Sequence, residues 1–215
     1  MNGLSGTAFT LLGEPVKWAD MIGNGFGLVA LGFGWRRSAW TWPLQLLSGA
    51  VLIAAYWSGH VPGLIGKQLI VVVAAVWGWT RWRRGRQQTG DITVRFATWT
   101  ERATLVGATA LGTAAVTWAF LHITETVYHP WAMAYIFVGT LAAMYAQARG
   151  WVEFWIAWIA VDVVGVPLAF NSGFAFTGLT FSIYFVLVLL GLRAWWLRTR
   201  DTRPVTDTVP QGASA

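Results

Sequence analysis

Seven apolar stretches recur along the chain, divided by short links rich in charge, glycine or proline. They run at about Trp18–Trp35, Trp40–Trp57, Leu64–Trp82, Ala103–His122, Trp131–Gln147, Val152–Phe170 and Phe174–Trp196. Each approaches the ~20 residues an α-helix needs to cross the hydrocarbon core of a bilayer. The pattern therefore predicts an all-α integral membrane protein with seven transmembrane helices. Ser58–Gly63 reads as a turn from its glycine and proline content. The longest polar link, residues 81–102, separates the third stretch from the fourth. Residues 1–17 are mixed in character and lack the basic start of a secretory signal. The tail from Leu197 to Ala215 is polar, and disorder is expected there.

Composition agrees. Only 11% of the 215 residues are charged and 56% are hydrophobic, against about 25% charged in a soluble domain. Sixteen tryptophans and 24 glycines suit interfacial anchoring and close helix packing. The absence of cysteine removes disulfides, a thiol nucleophile and thiolate metal sites. The net charge of +6 reports topology rather than nucleic-acid binding. With the N-terminus outside, the inner segments hold Arg36, Arg37, Arg81, Arg83, Arg84, Arg86, Arg95, Arg102, Arg149, Arg193, Arg198, Arg200 and Arg203. The outer side keeps only Lys17 and Lys67. The positive-inside rule then predicts N-out and C-in, with His60, His122 and His129 all outside.

The stretch 151–172 carries the most unusual pattern. Trp151, Trp155, Trp158 and Asp162 follow one another at spacings of 4, 3 and 4, which places them on one helical face. A carboxylate at the centre of a membrane helix costs roughly 2.5–3.5 kcal/mol on insertion scales, so such groups turn inward and are functional by default. That face is expected to wall a polar cavity. A repeat links the two ends of the chain: adding 113 to Trp42, Gly78 and Trp82 gives Trp155, Gly191 and Trp195. Two three-helix units, with an inverting helix between them, would then lie parallel in the membrane, a known transporter plan with substrate between the halves. The resulting division is 1–102 for the first unit and its basic linker, 103–122 for the inverter, 123–200 for the second unit, and 201–215 for the tail.

Several motifs resemble the Pnu family of vitamin transporters: GEPVKWADMIGN, WTWPLQ and WGWTRW in the first half, and WVEFWIAWIAVDVVGVPL and GLRAWW in the second. The likeness reaches to about residue 200. RFATWTER, AYIFVGTLAAMYAQARGWVEFW and GWRRSAWTWP are similar to the actinobacterial riboflavin-transporter branch. The nicotinamide riboside branch tends to carry Asn directly before the Trp-Pro pair, where this chain has Thr41. The resemblance implies a SWEET-like pair of three-helix bundles, a homotrimer, and uptake of an unphosphorylated vitamin by facilitated diffusion. A cytoplasmic kinase then traps the product by phosphorylation, without needing to touch the carrier. Proton coupling would need a relay of intramembrane acids or histidines, and Asp162 is nearly alone at depth. No cofactor or metal is implied.

A planar ring system with a polyol tail calls for flat aromatic faces and scattered hydrogen-bonding groups. Trp42, Trp155 and Trp158 supply faces. Gln45 and Ser48 share the Trp42 side of their helix, Gln68 and Tyr184 add directed bonds, and Asn171 could meet the polyol. Asp162 could accept from a ring N–H or a hydroxyl, or serve cationic nicotinamide riboside as counter-ion beside cation–π faces. Pro43 and Pro167 are candidate gates, although membrane helices also tolerate proline without such a role. For Trp42 and Trp155 interfacial anchoring is an equal reading, and for Asp162, Gln68 and Tyr184 interhelical bonding is the alternative. Trp18, Trp35, Trp57, Trp82 and Trp196 read as interfacial anchors. Among rival functions, a retinal pigment requires a lysine inside the bundle, and both lysines lie at outer span ends. An enzyme is disfavoured because no HExxH or GxSxG occurs. A membrane ligand receptor is the remaining alternative.

Overall fold

The computed structural model describes residues 6–11, 13–58, 62–90, 92, 94–123, 129–172 and 175–201. His60, Gly173, Phe174 and the tail beyond Asp201 lie outside these. Seven helices form: α1 Trp18–Trp35, α2 Thr41–Ser58, α3 Pro62–Thr89, α4 Trp99–Ile123, α5 Pro130–Ala148, α6 Glu153–Asn171 and α7 Ala175–Asp201. By length and composition α4, α5, α6 and most of α7 suit a membrane crossing, at mean hydropathies of 1.2 to 1.8, and α1 and α2 contribute shorter apolar runs.

Three elements go beyond the apolar pattern. In the N-terminal stretch of mixed character, β1, Thr7–Leu11, pairs antiparallel with β2, Glu14–Lys17. The alternation in TAFTL and the left-handed Gly13 (φ 87°) are the local reasons, since a tight reversal at positive φ favours glycine. The hairpin anchors through Phe9, edge-on to Phe176 of α7 at 6.1 Å. α3 continues a further seven residues past Trp82, because arginine and glutamine are good helix formers, and stops where Gly90 turns left-handed (φ 78°) with its N–H on the Arg86 carbonyl. α7 likewise extends to Asp201, into what the polar composition had marked as tail.

The helices form a closed ring. α1 packs on α2, α2 on α3, α3 on α5, α5 on α6, α6 on α7, and α7 returns to α1. α4 stands outside the ring against α5 and buries none of its residues. Adding 113 to the bounds of α1, α2 and α3 reproduces those of α5, α6 and α7 to within one residue. The turns after α1 and α5 also match. Arg37 (φ 55°) and Gly150 (φ 71°) are left-handed at equivalent places. Ser38 N–H reaches the Phe33 carbonyl at 2.9 Å, and Trp151 N–H the Ala146 carbonyl at 3.0 Å.

The arginine-rich end of the ring is tied by an ionic latch that the hydrophobic pattern did not foreshadow. The segment before α4 runs beside the α5–α6 turn, with Arg95 N–H on the Gly150 carbonyl (3.1 Å) and Val152 N–H on the Arg95 carbonyl (3.0 Å). Glu153, 8% exposed, accepts from Ala97 N–H at 2.9 Å and from Arg102 at 2.6–2.8 Å. Arg95 grips Glu101 with both terminal nitrogens, at 2.6 and 2.7 Å, and those bonds raise its own pKa. Trp151 therefore precedes α6 rather than sharing its face, and it lies under the guanidinium groups of Arg95 and Arg149 at 5.5 and 5.3 Å. Glu153→Gln would set an amide N–H against donors already aimed at the carboxylate. A loss of roughly 1–3 kcal/mol is expected, visible as a lower melting temperature of the detergent-solubilised protein.

Candidate functional site

Asp162 is the tenth of the nineteen residues of α6, so it lies near the middle of the ring's height. It is 3% exposed, and its Oδ2 accepts no hydrogen bond among the described residues. Tyr184 lies as far from the start of α7 at Ala175 as Asp162 does from the end of α6 at Asn171. Its hydroxyl crosses from one half of the ring to the other and donates to the Asn24 carbonyl of α1 at 3.1 Å. The crossing depends on Gly27, where a Cβ would clash with that hydroxyl. One residue before Asn24, the Gly23 carbonyl accepts from Ser48 Oγ of α2 at 2.7 Å. Two neighbouring carbonyls of α1 are thus taken by side chains from opposite halves.

The other sequence candidates fall into distinct groups. Trp158 and Gln45 are half-buried, and Trp158 packs beside the central hydrophobic cluster. Gln68 is buried with its amide nitrogen over Gly49 of α2. Asn171 is exposed in the last turn of α6. Ser48 is already engaged with α1. Pro43 sits in the first turn of α2, where a missing N–H interrupts nothing; α2 is unbroken there. Pro167 lies inside α6 without breaking it, and removes the N–H that would otherwise reach the Val163 carbonyl.

Trp42 and Trp155 are both 0% exposed, and neither indole offers a free face in this conformation. Trp42 lies on Gly78 and edge-on to Trp82 at 5.5 Å. Trp155 lies on Gly191 and edge-on to Trp195 at 5.8 Å. Trp82 is buried rather than an interfacial anchor: its Nε1 donates to the Gln147 carbonyl at the end of α5, at 3.0 Å. Trp195 Nε1 donates to the Trp35 carbonyl at the end of α1, at 3.1 Å. Each half thus inserts an indole into the helix end of the other. Trp18, Trp57 and Trp196 are exposed, as anchors should be.

Beside these matched pins lie positions where the halves differ. At the same offset of 113, Gln45 corresponds to Trp158, Gly49 to Asp162, Gln68 to Phe181 and Val71 to Tyr184. Polar groups and apolar ones trade places, so the two halves are chemically unlike at these positions. Sequence reasoning missed Asn24, Gly27 and Gln147. For the first two the signal was present in the glycine-spaced run MIGNGFG, since small residues permit close helix approach. Among the described residues no group of three or more acidic or histidine side chains could hold a metal.

Comparison with known proteins follows the same lines. The chain matches the family model described as nicotinamide mononucleotide transporter over residues 17–197. It is 52% identical over 213 residues to the riboflavin/roseoflavin transporter RibM of Streptomyces davaonensis, covering 98% of this chain and 100% of that protein. The fold matches the crystal structure of the vitamin B3 transporter PnuC with a TM-score of 0.70, across 86% of this chain and 83% of that one, at 16% identity.

Proposed function

Since this chain belongs to the nicotinamide mononucleotide transporter family of multi-pass membrane proteins, we propose that it carries riboflavin across the cell membrane. The observation that carries the substrate is 52% identity over nearly the whole of both chains to a riboflavin carrier. The site is consistent in kind. A flavin has a donor–acceptor edge, a flat body and a polyol, and the positions at which the halves diverge offer Asp162, Tyr184, Gln45 and Gln68 for the first and Trp158 for the second. Trp42, Trp155 and Ser48 remain in the proposal as the frame of that site, and Asn171 as a contact at its mouth. Pro43 and Pro167 remain as candidate gate positions, with Pro167 the stronger because only it lies deep in a helix.

Transport is read as facilitated diffusion, with phosphorylation by a cytoplasmic kinase trapping the product. That Asp162 is nearly alone among acids at depth in the apolar stretches supports this, since a proton relay requires a chain of titratable groups. The parallel 3+1+3 plan is supported by the shared offset of helix bounds, turns and indole pins, and N-out, C-in by the 13 to 2 partition of basic residues. The unburied α4 supports an arrangement in which lipid or a second copy covers it, as a homotrimer would. Nicotinamide riboside is the second reading, favoured by the PnuC fold and by Asp162 as a counter-ion for its cationic ring; a membrane ligand receptor is the non-transporting alternative. Counterflow separates them. Proteoliposomes preloaded with unlabelled riboflavin should accumulate labelled riboflavin without any ion gradient, and should not do so when preloaded with nicotinamide riboside. Counterflow with nicotinamide riboside alone would transfer the assignment to it, and no counterflow with either would leave the receptor.

A further inference from the structure

Two cavities of opposite character meet at Trp77. One, of about 350 Å³, lies at the arginine-rich ends of α3 and α5 and is lined by Arg81, Arg84, Arg149, Thr80 and Gln88. Among the described residues no carboxylate lines it. The second, of about 410 Å³, is apolar and is walled by Ala74, Leu105, Ala108 and Leu141. Trp77 lines both, and its ring stacks on Tyr145 of α5 at 5.5 Å with 6° between the planes. The groove exists because α3 and α4 each pack on α5 but scarcely on one another.

The chemistry of the basic cavity favours a phosphate-bearing group. Thr80, Arg84 and Gln88 follow one another at spacings of four along α3, and Arg81 lies three before Arg84, so they line one side of the helix. Among the described residues Arg149 reaches a single carboxylate, Glu101 at 3.3 Å, whose oxygens Arg95 already holds more closely. Its buried Nε has no partner among the described residues. Guanidinium groups present forked donors that suit phosphate oxygens. A water-soluble phosphate would need the basic cavity alone. The apolar groove leading from it into the hydrocarbon zone is what an acyl chain needs.

We propose that the two cavities form one site for an anionic phospholipid, its phosphate held by Arg81, Arg84 and Arg149 and one acyl chain laid in the groove between α3 and α4. This site is independent of which vitamin crosses. Its occupant would brace α4, which the protein alone leaves unburied, against the ring through α5. That goes beyond the general attraction of basic residues to acidic leaflets, because it predicts position-specific binding rather than a charge count.

Native mass spectrometry of the full-length protein in detergent tests this, with palmitoyl-oleoyl phosphatidylglycerol and the matching phosphatidylcholine as probes. One phosphatidylglycerol per chain should be retained in preference to phosphatidylcholine. The double variant Arg81→Gln, Arg84→Gln should lower that retention about tenfold. Arg83→Gln with Arg86→Gln removes the same charge from residues that do not line the cavity, and should leave retention unchanged. Ala108→Trp, which fills the groove without touching charge, should lower it as well. Equal retention of the two lipids, or equal loss in both arginine pairs, would overturn the proposal. So would displacement by glycerol 3-phosphate together with unchanged retention in Ala108→Trp, which would assign the basic cavity to a soluble phosphate.

Discussion

Gly191→Ala and Gly78→Ala are each expected to destabilise the protein by roughly 1–3 kcal/mol or more, and by similar amounts. A Cβ at position 191 would overlap three ring atoms of Trp155, and one at position 78 would overlap three ring atoms of Trp42. Neither indole can retreat. Trp155 is fully buried between Phe154, at 4.2 Å, and Trp195, while Trp42 is held by Trp82, whose nitrogen is itself bonded to the other half. Displacing the ring would therefore loosen the contact that joins the two bundles. Gly107→Ala is the control, because a Cβ there meets nothing within 4 Å. That change should be neutral or stabilising by up to about 1 kcal/mol through helix propensity. Thermal unfolding in detergent reads all three. If Gly191→Ala and Gly107→Ala melt alike, the packing account of the indole pins is wrong.

The largest effect on transport is expected at Asp162. Asp162→Ala should weaken riboflavin binding by about tenfold to a hundredfold, the range for losing a hydrogen bond to a charged group, about 1.5–3 kcal/mol. Thermal stability should be maintained or increased. The two expectations together are what discriminate. A carboxylate that served only as interhelical glue would leave a gap in the bonding when removed, and stability would fall. Asp162 instead keeps a buried oxygen without a partner among the described residues, which opposes folding in an apolar setting. Removing it relieves that cost while depriving the ligand of its acceptor. A variant that melts earlier and still binds normally would assign Asp162 to structure.

The helices themselves were legible because the bilayer requires about twenty apolar residues per crossing. α1 begins and ends at the tryptophans the pattern marked, Trp18 and Trp35. The offset of 113 read from Trp42, Gly78 and Trp82 is also the offset between the bounds of α1–α3 and α5–α7, to within one residue. What the pattern could not resolve was direction. Lipid and protein core are equally apolar, so hydrophobicity does not distinguish Trp82, buried and bonded to Gln147, from Trp57, exposed at a helix end. The latch of Glu153 with Arg102 escaped notice for a related reason. Charged residues in a polar link look alike until the link folds back, and residues 102 and 153 meet only because the segment before α4 lies along the α5–α6 turn. Trp151 was assigned to the α6 face because spacing assumes a helix that begins two residues too early. The hairpin at residues 7–17 was hidden by its brevity, four or five residues per strand.

The central claim is that riboflavin binds between the halves with its ring against Trp158. Titrating riboflavin into the detergent-purified protein, while following flavin fluorescence, tests it most directly. Saturable quenching is expected; it should be lost in Trp158→Ala and resist competition by nicotinamide riboside and thiamine. A flat titration with folded protein would contradict the riboflavin assignment, and quenching that survives in Trp158→Ala would contradict the site.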